Sequence, residues 1–163
     1  LYLLAGIPGE SELDERRTPK FLAAFAAAAA GVRITVHINP LVPKPATPLQ
    51  YMAMASAAQL RAATARLAGE IRRIGLAVVV KGVRAAVRQA QLSLGDERMG
   101  EAAVLFAAGR TSWRGALREA GVDPDEIHRQ RGQEAPLAWE RFDARDRRDA
   151  LLRGYRTCTA ARE

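Results

Sequence analysis

Cysteine occurs once in this 163-residue chain, at Cys158, and histidine twice, at His37 and His128. One thiol excludes a disulfide framework, and its rarity fits a cytoplasmic protein. Neither histidine has a His, Cys or carboxylate at ligand spacing in its own stretch, so no local metal motif is present. Aromatic residues make up only 6%, too few for the interleaved stacking platform of a single-strand nucleic-acid binder. No apolar run reaches the roughly 18 to 20 residues of a membrane helix; the longest, "FLAAFAAAAAGV", is short and alanine-rich. No secretory or transit signal is recognisable. The chain opens without methionine on "LYLLAGIPGE", which reads like the middle of a strand and raises the expectation of a piece of a longer protein.

What is present is an ordinary globular balance, 48% apolar and 26% charged, which excludes wholesale disorder. The formal charge is +7 and the pI near 10.5. Arginine outnumbers lysine 22 to 3, but the arginines run from Arg16 to Arg162 with carboxylates between them, as in "RQRGQEAPLAWERFDARDRRD". A clustered patch would point to a polyanion. Spread charge reads first as a solvated surface, with nucleic acid a secondary candidate partner.

The periodicity divides the chain in two. "LYLLAG" is a short apolar run stopped by Gly6, Pro8 and Gly9, as expected of a buried parallel strand. A helix should follow with Thr18 as N-cap, Pro19 at its first position and Gly31 closing it, an earlier turn beginning at Ser11. "VRITVHI" has the β-branched content of a strand. A long helix is expected from about Ala55 to Ile74, with Leu60, Thr64, Leu67, Ile71 and Ile74 on one face. Gly75 ends it, and "LAVVVK" is a third strand. Strand, helix, strand, helix, strand is a βαβαβ unit with a parallel sheet. From Gly82 onward the pattern changes to short helices punctuated by Gly95, Gly109 and Gly121, with Asp96, Ser112 and Asp123 as candidate caps. "EAPLAWERFD" reads as irregular and "ARDRRDALLRGY" as a last helix. The expected organisation is an α/β portion at 1–82 and a helical extension at 83–163.

Three parallel strands fit a doubly wound sheet or part of a barrel, and both place ligands at the C-terminal strand ends. Those ends are "GIPGE", "NPLVPKPATP" and "KGVRAA". In the first, Gly6 and Gly9 flank Pro8, and Glu10 could accept hydrogen bonds; a purely structural turn is the plain alternative. It has neither the P-loop nor the dinucleotide spacing. In the second, Pro40, Pro43, Pro45 and Pro48 crowd nine residues. This could be a polyproline ligand, since "PKPATP" has the P-x-x-P spacing, or a shaped functional loop holding Lys44, Thr47 and Gln50 in place. His37 is expected to be a satisfied core histidine, and His128 and Cys158 bystanders. In "SLGDERMG", Asp96, Glu97 and Arg98 could form a cap and a local ion pair. Trp113 and Trp139 suggest burial. No complete catalytic constellation stands out.

Taken in order, these motifs resemble the C-terminal part of radical S-adenosylmethionine enzymes, of the group in which a cobalamin-binding-like domain precedes the radical barrel. The likeness rests on "GIPGE", on "NPLVPKPATPLQY" against a family pattern close to F-V-P-K-P-H-T-P-F-Q-W, on "LSLGDERMGEA" against L-S-R-G-D-R-R, and on "AGVDPDEIHRQR" with "APLAWERFD". It covers nearly the whole chain. The departures are Ala46 for histidine, Leu49 for phenylalanine, Tyr51 for tryptophan, Leu94 for arginine, and Ala138 interrupting the Leu-Pro-Trp order. The tail "YRTCTAARE" resembles the start of a cysteine-containing family terminus but holds one cysteine.

The resemblance implies an α/β fold comprising the last strands of a partial parallel (β/α) barrel, followed by a helical C-terminal extension. It implies a parent enzyme that reductively cleaves S-adenosylmethionine to start radical chemistry on an unknown substrate. The cofactors would be S-adenosylmethionine and a [4Fe-4S] cluster, with cobalamin a further candidate. The C-x-x-x-C-x-x-C cluster loop is absent from this sequence, so the segment alone should be inactive and its partner would be the upstream part of the same polypeptide. Gly6, Pro8, Gly9 and Glu10 would lie near the adenosylmethionine; Lys44, Thr47, Pro48 and Gln50 would line the next loop, toward the barrel mouth. Two other readings stand beside it: a small α/β binding module with a basic helical tail docking RNA or a protein, and a non-radical barrel enzyme handling a phosphorylated metabolite.

Overall fold

The computed structural model describes residues 1–134, 136–141 and 147–160. The chain is α/β, with three parallel strands in sequential order: β1 (Tyr2–Ala5), β2 (Thr35–Pro40) and β3 (Ala77–Val80). Tyr2 is in register with His37, and His37 with Val79. Helices α1 (Glu12–Ala28) and α2 (Ala57–Arg73) form the crossovers. Short helices follow: α3 (Val83–Leu94), α4 (Arg98–Ala107), α5 (Trp113–Glu119) and α6 (Arg148–Ala160), with 3-10 turns at Pro48–Tyr51, Glu126–His128 and Ala138–Arg141. Ala135, residues 142–146 of the expected irregular stretch and last helix, and residues 161–163 lie outside the described residues. Among the described residues, no helix is long and apolar enough to cross a membrane.

Two compact units divide the chain, the first comprising Leu1–Leu41 and Ala55–Ala86, the second Val42–Met54 and Val87–Glu163. The change of unit after Ala86 falls inside α3. The proline-rich segment groups with the helical unit rather than with the strands that flank it.

In the first unit, Ala5, Val36 and Ile38 pack with Leu22 of α1 and with Ala68 and Ile71 of α2. This follows from strand alternation: Val36, Ile38 and Pro40 turn to the helices, while Thr35, His37 and Asn39 turn away. The helix α1 begins earlier than expected. Ser11 caps it, its hydroxyl accepting the Asp14 N–H while the Asp14 carboxylate accepts the Ser11 N–H. That reciprocal box satisfies two otherwise orphaned donors, so Pro19 lies inside the helix rather than at its start. Gly31, at φ +83°, belongs to the turn beyond the helix end. At the end of α2, Gly75 adopts φ +81°. Its N–H bonds the Arg72 carbonyl and the Leu76 N–H bonds the Ile71 carbonyl, the paired closure that favours glycine there.

In the second unit, α4 and α5 pack through Met99, Ala102, Ala116 and Leu117. Ser112 caps α5 by accepting the Gly115 N–H. Asp123 does not start a full helix: its carboxylate accepts the Asp125 N–H and only the 3-10 turn at Glu126–His128 follows.

The strands correct one expectation. The sheet is not buried on both faces: helices cover one side, while on the other Tyr2 is 80% exposed, Leu4 49% and Val79 49%. His37 lies on that open face, half-buried and stacked on the Tyr2 ring at 5.1 Å, rather than in the core. Alternation put it there once Val36 and Ile38 were taken by the helices.

Candidate functional site

The first candidate set follows β1. Gly6 and Gly9 adopt φ +78° and +81°, conformations that glycine takes without strain, and the Glu10 N–H closes a turn on the Ile7 carbonyl at 3.2 Å. A side chain at Gly6 would also run into Leu60 of α2, 2.5 Å from where its Cβ would sit. Packing therefore accounts for that glycine. Beside this turn is a cavity of about 350 Å³, lined along β1 and by Glu10, Thr18, Arg66 and Glu70.

The second set lies in the proline-rich segment, which is neither a linker nor a free polyproline ligand. Gln50 is 1% exposed. Its Oε1 accepts the Ala46 N–H at 2.9 Å and the Trp139 Nε1–H at 2.8 Å. The Thr47 hydroxyl donates to the Lys44 carbonyl at 2.8 Å. Tyr51 is buried edge-on against Tyr155, and Pro48 fills the space that a side chain at Gly154 would need. The segment is thus shaped by internal bonds, with Lys44, Thr47 and Pro48 half-buried and Ala46 exposed at φ +56°. Ala46 is the position where the family resemblance expects histidine. The Gly6–Glu10 set belongs to the first unit and the Lys44–Gln50 set to the second.

Residues around the second set also depart from expectation. His128 is half-buried rather than simply exposed, and its Nδ1 contacts the Met54 carbonyl at 3.0 Å; that geometry places the proton on Nδ1. Asp96 and Arg98 do form the expected local ion pair. The Arg98 guanidinium holds both oxygens of Asp96 and donates to the Gly121 carbonyl at 2.6 Å. These bonds from Arg98 keep the Asp96 carboxyl below the usual carboxylate range. Arg114 and Arg129 do the same for Asp125 and Asp123, the backbone N–H of Asp125 being the larger influence on Asp123. Both tryptophans are anchored on buried glutamines: Trp113 donates to Gln91, and Gln91 in turn donates to the Pro124 carbonyl at 2.8 Å. Gln91 carried no sequence signal, because its partners are 22 and 33 residues away. Cys158 is exposed.

The donor set can be weighed against the implied cofactors. Among the described residues no group of three or more His, Cys, Asp or Glu could hold a metal ion, so these residues do not fit a [4Fe-4S] cluster. For S-adenosylmethionine they offer the Gly6–Glu10 backbone and the Glu10 carboxylate, part of a site. No family model, curated protein or solved structure matches the chain.

Proposed function

We propose that this chain is the closing part of a parallel (β/α) barrel in a radical S-adenosylmethionine enzyme, inactive until the rest of the barrel is joined to it. The observation that carries the reading is the open sheet face. Parallel sheets occur almost only with both faces covered, yet here the face opposite α1 and α2 presents Tyr2, Leu4, His37 and Val79 to solvent. A barrel interior would cover that face, and strands running in sequential order are what a barrel requires. The choice among barrel enzymes rests on the motif resemblance at "GIPGE" and "NPLVPKPATPLQY".

On this reading the backbone of Gly6 to Glu10 and the Glu10 carboxylate would help hold the adenosylmethionine, and Lys44 and Thr47 would lie toward the barrel mouth. The cluster ligands of the parent enzyme would come from upstream in the polypeptide, since the described residues of this chain do not supply them. Reading the gene upstream tests this. Three cysteines spaced C-x-x-x-C-x-x-C within about 150 residues, a distance set by barrel size, are expected. The longer chain, reconstituted anaerobically, should then release 5′-deoxyadenosine from S-adenosylmethionine. A gene with no such cysteines would overturn the proposal.

A further inference from the structure

The helical unit contains a cavity of about 450 Å³ that the proposed barrel chemistry does not use. Three guanidinium groups line it, Arg98, Arg129 and Arg131, together with the carboxylates of Asp96 and Glu126. The first two are held by carboxylates, Arg98 by Asp96 and Arg129 by Asp123. Arg131 is different. Its backbone N–H is bound to the Tyr51 carbonyl at 3.0 Å, which fixes where the side chain starts. Its Nη1 is enclosed with no hydrogen-bond partner. Burial lowers its pKa from the ordinary arginine value, and Glu126 acts in the opposite direction without closing an ion pair. A buried guanidinium nitrogen with no acceptor is costly and uncommon, and its natural complement is an oxyanion.

The rest of the lining narrows the class. Leu94, Met99 and Leu137 are buried apolar side chains on the same cavity. Trp139, whose N–H is committed to Gln50, adds ring carbon. With two arginines already holding carboxylates, one guanidinium is left to engage a ligand. That favours a single negative charge attached to an apolar body over a multiply charged phosphate. We propose that this cavity binds a small organic carboxylate with a hydrophobic or aromatic body, anchored by Arg131. The side chain of Arg131 turns to present its fork to the incoming carboxylate, and the apolar wall takes the body. Such sites combine a mostly apolar lining with a few polar anchors.

Benzoate is the probe, with uncharged benzamide and inorganic phosphate as comparisons, on the 163-residue chain labelled for NMR. Benzoate should shift the Trp139 indole N–H resonance saturably in the millimolar range and leave that of Trp113 in place. Benzamide should give no saturable shift, and phosphate should bind more weakly than benzoate. Arg131→Met should weaken benzoate about tenfold or more, the scale of one charge-assisted hydrogen bond, and Arg131→Lys should restore part of the binding. If Arg131→Met does not fold, the wild-type comparison of benzoate with benzamide decides by itself. No saturable shift at Trp139, equal binding of benzoate and benzamide, tighter binding of phosphate, or a folded Arg131→Met that binds benzoate as wild type does would each overturn the proposal.

Discussion

The two units solve the burial problem differently. The second closes on itself: its proline-rich segment is stitched in by Gln50, its tryptophans are bonded to glutamines, and Arg98, Arg114, Arg129 and Arg148 each hold a carboxylate. The first packs one side of its sheet against helices, with Val36 and Ile38 at 0% exposure, and leaves the other side open. The same strands thus carry finished and unfinished faces. Local propensity and helix capping build a βαβαβ unit whose two helices cover one face of the sheet.

The contrast can be broken by substitution. The largest effect should come from the finished face: Ile38→Ala should cost about 2 to 5 kcal/mol, whereas Val79→Ala on the open face should change stability by about 0.5 kcal/mol or less. Urea denaturation of both variants checks this, and equal losses would mean that the open face is packed in solution. In the second unit, Gln50→Leu should cost about 2 kcal/mol or more, because the Ala46 and Trp139 N–H groups lose their shared acceptor. A near-neutral result would show that the segment does not depend on that amide. Ala46→Gly should stabilise by up to about 1 kcal/mol, since alanine at φ +56° is strained; thermal melting reads it, and a lower midpoint would contradict the strained geometry.

The smallest effect is the response to acid. Asp96, Asp123 and Asp125 are held below the ordinary value of 3.8 in the folded chain. Their contribution is therefore present above that value and is lost as pH falls through the lowered folded values. All three lie on exposed pairs, so the loss should be small and reduced by salt. Melting temperatures between about pH 5 and pH 7 should show no change from these groups. A decline from them beginning at neutral pH would contradict the assignment.

Much of this was legible in the sequence, for identifiable reasons. The strand, helix, strand, helix, strand order followed from apolar runs and Gly75, and the ion pair at Asp96 and Arg98 from their adjacency. The start of α1 differs from the expectation because Pro19 is a stronger signal in text than the Ser11 and Asp14 box, which acts through two reciprocal bonds. The open sheet face was hidden because "LYLLAG" and "LAVVVK" have the continuous apolar character of strands covered on both sides. The proline-rich segment was recognisable as shaped, but not its anchor, since Trp139 lies 89 residues from Gln50. Arg131 was invisible among 22 arginines; only enclosure distinguishes it.

The proposal that further chain covers the open face can be tested with one cysteine. Val79→Cys places a thiol on that face, and exposed Cys158 serves as the internal control. In the 163-residue chain both thiols should react at comparable rates with a maleimide. In a chain extended upstream along the reading frame, the thiol at position 79 should become protected while Cys158 stays reactive. Equal labelling at position 79 in the folded short and extended chains would contradict the account.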